Sequence, residues 1–178
     1  MIDNFSWVIL DKLAGSAIPE EAYGAHSIRS GLGGTLGTDL VDLYGRGIRL
    51  LVSLTDRAED LGPHCRAAGL DWHYYPIIDF GVPRSIESFD DLITTIIGSM
   101  DRSRAVCVHC FAGVGRTGLV LSCTVGRYLQ LPADRAVGAV RRIRPALETR
   151  EQESFVRRYL ESRSAHQHQA GRYALMSW

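Results

Sequence analysis

Residues 109 to 118 read His-Cys-Phe-Ala-Gly-Val-Gly-Arg-Thr-Gly. A thiol at Cys110, an arginine at Arg116 and glycines at 113, 115 and 118 fall within one decapeptide. The apolar, β-branched run Arg104-Ala-Val-Cys-Val108 before it reads as a buried strand, and Leu119 to Val125 after it continues as an apolar helix. The decapeptide is therefore a strand–loop–helix junction. The first turn of a helix carries unpaired N–H groups and about half a positive charge. Glycines let successive N–H groups converge into a nest for an anion such as phosphate. Arg116 adds a planar, permanently charged fork for two oxygens of the same anion. A thiol in such a field is expected as the thiolate. One short loop thus combines a nucleophile, Cys110, with an anion cradle (Phe111, Ala112, Gly113, Val114 and Gly115) and a cationic clamp. A structural cysteine beside a glycine-rich turn would not need the arginine in register.

The elements that must position this loop alternate between strand and helix. Residues 5 to 18 read as two short strands with a turn near Asp11-Lys12. Residues 20 to 37 are polar and glycine-rich, without a period, and are expected as a long loop. Thr38 is expected to cap a helix whose apolar face is Leu40, Val41, Leu43 and Tyr44. The aliphatic run Ile48 to Leu54 is a buried, parallel strand. A short helix around His64 to Ala68, a strand from Asp71 to Ile78 and a loop at Asp79-Phe-Gly-Val-Pro83 come next. Ser85 caps a long helix whose apolar positions are Phe89, Leu92, Ile93, Ile96, Ile97 and Met100. After the loop and its helix, which runs to about Gln130, another helix starts at Pro132. Its inward face is expected to be Ala136, Val137, Val140 and Ile143, with Arg141, Arg142 and Arg144 outward on a solvated face. A last helix spans about Arg150 to Ser162, and the tail after Ser164 is expected to be loosely held. The class is a single α/β domain with a central, mostly parallel sheet flanked by helices. Cys110 sits at the C-terminal end of a strand, where such sheets place their ligands.

Composition excludes several classes. Twenty basic residues balance twenty acidic ones, so no broad field favours nucleic acid or an anionic membrane. Four cysteines, Cys65, Cys107, Cys110 and Cys123, form no C-x-x-C pair, and no His/Cys spacing suits zinc; His166-x-His168 reads as part of a polar tail rather than a metal grip, and no cofactor is expected. The N-terminus lacks the basic and apolar stretches of a signal peptide, and no apolar run approaches a membrane span. A monomer in the reducing cytoplasm is expected.

The pattern H-C-x-x-G-x-x-R-T-G resembles the phosphate-binding signature of the cysteine-dependent protein tyrosine phosphatase superfamily. Further segments, Asn4-Phe-Ser-Trp-Val8, Lys12-Leu-Ala-Gly15, Leu51-Val-Ser-Leu-Thr55, Asp79-Phe80 and Ile143-Arg-Pro145, resemble its small atypical dual-specificity phosphatases of the VHZ type. The resemblance covers roughly residues 4 to 19 and 38 to 160. It implies a catalytic domain over residues 1–163, with 20–37 as a glycine-rich insertion and 164–178 as a C-terminal tail. It also implies that Cys110 attacks phosphorus, that Arg116 holds the phosphate oxygens, and that Asp79 is the general acid rather than a turn-forming Asp. Thr117 could hydrogen-bond the departing sulfur, cap the helix, or both. His109 would brace the loop. Glu148, Thr149 and Gln152 match another family segment and could reach the loop, Gln152 orienting water, or could simply cap the last helix. Cys65 could protect Cys110 by a reversible disulfide, as in some related phosphatases. The expected substrate is a phosphorylated protein or peptide, chiefly at phosphotyrosine, with phosphoserine and phosphothreonine also in range. The alternatives are a phosphoinositide, an RNA 5′-phosphate, or binding without turnover. The uncharged loop residues Phe111, Ala112 and Val114 weigh against a highly anionic substrate.

Overall fold

The computed structural model describes residues 2–19, 36–56 and 60–175, with side chains to residue 163. The expected insertion therefore lies almost wholly outside the described residues. Five strands form one sheet: β1 (Ser6–Ile9), β2 (Leu13–Ser16), β3 (Ile48–Ser53), β4 (Asp71–Tyr74) and β5 (Ala105–His109). Their spatial order is β1-β2-β5-β3-β4. Only the β1/β2 hairpin is antiparallel; β2/β5, β5/β3 and β3/β4 are parallel. The mostly parallel α/β class expected from the alternation is what forms. β5 is the central strand, and every one of its residues is buried.

Side chains alternate across the sheet, so β2, β3 and β5 each feed two cores. Val106, Val108 and Cys110 pack on one side with Phe89, Leu92, Leu119, Val140, Phe155 and Tyr159. These come from α3 (Ile86–Asp101), α4 (Gly115–Tyr128), α5 (Ala133–Arg141) and α6 (Arg150–Leu175). Ala105 and Cys107 pack on the other side with Leu40 and Leu43 of α1 (Leu36–Gly45) and Cys65 of α2 (Gly62–Ala67). The helix that leaves the loop, α4, is buried over nearly its whole surface, its buried positions including Arg116, Thr117, Ser122 and Thr124 besides the apolar ones. Ser85 caps α3 as expected: its Oγ accepts from Ser88 N at 3.2 Å and donates to Glu87 Oε2 at 2.8 Å.

Several local expectations are corrected. α1 begins at Leu36, so Thr38 lies inside it rather than at its cap, and Val41 and Tyr44 are exposed. β4 ends at Tyr74, because Pro76 has no N–H to donate. The chain stays beside β3 even so, with Tyr75 N and Ile77 N bonding to Ser53 O and Leu54 O. α6 runs to Leu175, beyond the expected end near Ser162. The largest correction is at the end of α5. That helix stops at Arg141, so its period no longer governs residues 142 to 145. Ile143 turns out, at 47% exposed, and Arg144 turns in, at 3%.

Candidate active site

β5 delivers His109 and Cys110 to the sheet's C-terminal edge, and α4 starts five residues after the thiol. The loop between them turns at Gly113, whose φ of 75° lies in the left-handed region. Glycine is also required there by contact, since a Cβ would run into the Ser16 carbonyl oxygen. The loop is further tied down by Ile18 N, which donates to Phe111 O at 3.0 Å, and Asn4 Nδ2, which donates to Ala112 O at 2.9 Å. Hence the β1–β2 hairpin serves as the loop's outer wall.

Cys110 and Arg116 are both 3% exposed. The Arg116 guanidinium donates to the Ile77 carbonyl at 3.0 Å and pairs with Asp79 Oδ1 at 2.8 Å and Asp56 Oδ1 at 3.3 Å. Asp79, at 57% exposed, sits on the turn closed by Gly81 N to Ile78 O, and its own Oδ1 accepts from Phe80 N. Phe80 takes a φ of 57°, an uncommon conformation for an aromatic residue. The structure therefore pairs Arg116 with Asp79, and Arg116 closes the loop that begins at Cys110. It adds a carboxylate absent from the expectations, Asp56, just past the C-terminal end of β3. Only the rule that ligands gather at that edge could have flagged it.

His109 is fully buried, and burial pushes its pKa down to about 4, so the ring is neutral near pH 7. Its Nδ1 faces Cys110 O at 3.3 Å, and a carbonyl can only accept, so the proton resides on Nδ1. Nε2 then accepts from Ser53 Oγ at 2.6 Å, and Ser53 Oγ accepts from Trp72 Nε1 at 2.8 Å. The bracing expected of His109 is thus the inner end of a chain with one direction, Trp72 to Ser53 to His109 to the Cys110 carbonyl.

Thr117 is buried, and its hydroxyl has no hydrogen-bond partner among the described residues. Glu148 and Gln152 abut the loop: a Cβ on Gly115 would land on Glu148 Oε2 and lie 3.1 Å from Gln152 Nε2. Thr149 caps α6, accepting from Gln152 N at 3.1 Å, and its hydroxyl also faces Phe80 O at 3.5 Å. The Gln152 amide accepts from Glu148 N at 2.8 Å and donates to Gly81 O at 3.3 Å. These residues tie the Asp79 loop to the start of α6.

Cys65 and Cys110 lie on opposite faces of the sheet, and all four thiols are free. Burial raises the Cys65 and Cys107 thiols to about 11. The disulfide expected as a possibility between Cys65 and Cys110 has the sheet between its partners. The described residues contain no cluster that could hold a metal ion, and none of their helices is long and apolar enough to cross a membrane.

A cysteine at the tip of the central strand, a glycine-turned loop and an arginine in the first turn of a buried helix define the class. It is the cysteine-dependent protein tyrosine phosphatase superfamily, in its atypical dual-specificity branch. The chain belongs to the family described as the DSP-PTPase phosphatase of polymorphic toxin systems, whose model matches residues 32–129. It is similar to an uncharacterized protein of Methanocaldococcus jannaschii, 37% identical over 92 residues, which are 51% of this chain and 60% of that one. It is also similar to protein tyrosine phosphatase domain-containing protein 1 of Danio rerio, 32% identical over 95 residues, 53% of this chain and 13% of the relative. The matched stretch thus spans less than two thirds of these curated relatives. Among solved structures, Tk-PTP in its active form superposes with a TM-score of 0.71 at 25% identity, covering 92% of this chain and 99% of that one. Kinase associated phosphatase, with its catalytic-site cysteine substituted by serine, superposes at 0.76 over 93% and 98%; at 22% identity it speaks for the fold.

Proposed function

We propose that this protein is a metal-independent phosphomonoesterase acting on phosphotyrosine in proteins, with phosphoserine and phosphothreonine as further substrates. The observation that supports the reading is the pairing of Asp79 with Arg116, in the loop that leaves the central strand at Cys110. The Cys110 thiolate attacks phosphorus, the ester P–O bond breaks, and Asp79 gives its proton to the leaving oxygen. Arg116 and the loop N–H groups hold the equatorial oxygens while charge spreads over them. Water then attacks phosphorus, a P–O bond forms as the S–P bond breaks, Asp79 takes the water's proton, and the thiolate leaves toward the Thr117 hydroxyl, whose lack of another partner among the described residues suits that task. Phosphate or a phosphoryl group must first displace Asp79 and Asp56 from Arg116. Exposed Ile78, Phe80 and Phe111 beside the site suit an aromatic ester. The uncharged loop side chains Phe111, Ala112 and Val114 disfavour a polyphosphorylated ligand. A structure sharing this fold at 13% identity is titled as a complex with PI(5)P, so phosphoinositides belong in the substrate panel.

The test is hydrolysis of p-nitrophenyl phosphate against pH in EDTA, with Cys110→Ser and Asp79→Asn alongside. Activity should survive EDTA, vanish in Cys110→Ser, and lose its basic limb in Asp79→Asn. Wild-type protein that binds vanadate without turnover would leave a phosphate-recognition module instead. A panel of phosphopeptides and phosphoinositides then decides the substrate class.

A further inference from the structure

Arg144 is a cation beneath the phosphate loop. It is 3% exposed, and no carboxylate pairs with it among the described residues. Its Nη2 donates to the Gly113 carbonyl at 2.6 Å and its Nη1 to Ser6 Oγ at 3.1 Å. Its Nε–H is buried with no hydrogen-bond partner among the described residues. The guanidinium lies flat on the β1–β2 hairpin, over Gly15: a Cβ there would sit 2.9 Å from Arg144 Cζ and closer still to Nη1. Ser6, Gly15, Gly113 and Arg144 are therefore one assembly drawn from four parts of the chain.

A buried charge without a counter-ion is costly, and a structural arginine would ordinarily be paired. Here the charges that act on it are those of thiols. Burial pushes the Arg144 pKa down, while negative charge on Cys107 and Cys110 pushes it up. Of the two, Cys107 is enclosed on the far face and its thiol is raised to about 11, so it stays neutral. Cys110 lies on the opposite face from Cys107, at the start of the loop that Arg144 holds.

The hydrogen bond to Gly113 has a geometric consequence. No peptide among the described residues is cis, so the Gly113 carbonyl and the Val114 N–H point in opposite directions from the same plane. We propose that Arg144 is a positioning residue of the phosphate loop: it holds the Gly113 carbonyl turned away from the anion site, aims the Val114 N–H into it, and has its charge balanced by the Cys110 thiolate and the bound phosphate. Without that hold, the peptide is free to rotate and present a carbonyl oxygen to the anion. The proposal rests on the reading of residues 110–116 as a phosphate site.

The experiment measures orthovanadate affinity, thermal unfolding, and kcat and KM on p-nitrophenyl phosphate for the full chain and for Arg144→Met, Arg144→Lys and Gly15→Ala. Losing one preorganised donor in a buried anion site costs on the order of 100-fold. Arg144→Met is expected to lose vanadate affinity and kcat/KM by about that factor. Arg144→Lys, which restores the charge but not the fork, is expected to recover part of the affinity. If Arg144→Met does not fold, Gly15→Ala carries the test, since it displaces the guanidinium from behind and should weaken vanadate binding in the same direction. A folded Arg144→Met or Gly15→Ala protein that binds vanadate as tightly as the wild type overturns the proposal alone. A wild type that binds no vanadate overturns the phosphate-site reading beneath it.

Discussion

The pKa of His109 makes a quantitative prediction about acid stability. Burial holds it near 4, against about 6.5 for an exposed imidazole. Between those values the unfolded chain binds a proton that the folded protein refuses. Stability therefore rises with pH across the window from about 4 to 6.5, and is lost as pH falls. Above pH 6.5 both states are neutral and the effect is nil. At about 1.4 kcal/mol for each pH unit, lowering pH from 7.5 to 5 crosses roughly 1.5 units of the window and costs about 2 kcal/mol. His109→Asn removes this titration while leaving every carboxylate, and the partly buried His73, in place. Urea unfolding of both proteins at pH 7.5 and 5 isolates the term as a difference of differences. The wild type should lose about 2 kcal/mol more than His109→Asn on acidification, within roughly a factor of two. Equal losses would refute the reasoning, because they would mean that the imidazole is protonated or solvated in the folded state. The chain from Trp72 through Ser53 to the Cys110 carbonyl would then have the wrong direction.

Three further outcomes rest on named contacts. Asp79→Asn should bind vanadate up to about fivefold more tightly than wild type while turning over more slowly, because an exposed ion pair worth about 0–1 kcal/mol no longer competes for Arg116; weaker binding would count against the observed pairing. Ser53→Ala leaves His109 Nε2 and Trp72 Nε1–H without their partner, and should lower the free energy of unfolding by about 1–3 kcal/mol in urea titrations. Gly118→Ala places a Cβ 2.7 Å from both Cα and Cβ of Ala146 and 2.8 Å from Leu147 N. Backbone cannot yield cheaply, so a loss of about 1–3 kcal/mol is expected in the same assay, and an unchanged midpoint would show that the 146–147 segment moves freely.

What could be read from the chain depended on whether the chemistry was local. The loop was legible because nucleophile, glycine turn and arginine occupy one decapeptide, and the flanking runs Ala105–Val108 and Leu119–Leu121 are apolar. The cap of α3 was legible because Ser85 and Glu87 act within a few residues of each other. Arg144 was not. Its expected outward position extended the period of α5 past the helix end, and one residue of slippage exchanged it with Ile143. The signal that did mark it was the Ile143-Arg-Pro145 segment, in which proline forbids the helix from continuing. Asp56 and Trp72 carry no local pattern. They reach the site only because β3 and β4 run parallel to β5 and end at the same edge.

The two buried arginines of the site divide its electrostatic work. Arg116 pairs with Asp79 and Asp56, and on the proposed reading an incoming phosphate dianion replaces them without leaving a bare charge. Arg144 faces the underside, where, among the described residues, no carboxylate answers it and a carbonyl and a hydroxyl accept its hydrogen bonds. If both arginines were paired with carboxylates, the loop would be neutral throughout and hold phosphate only through its N–H groups. If neither were, two desolvated cations would stand within one small loop and the empty site would be costly to fold. The arrangement observed avoids both extremes. The outer charge is exchangeable and sets the competition between Asp79 and ligand. The inner charge is permanent and favours an anion at the loop at every stage. On this reasoning, Asp79→Asn and Arg144→Met should shift vanadate affinity in opposite directions. A double variant should fall near the sum of the two free-energy changes, because the residues act on opposite sides of the loop.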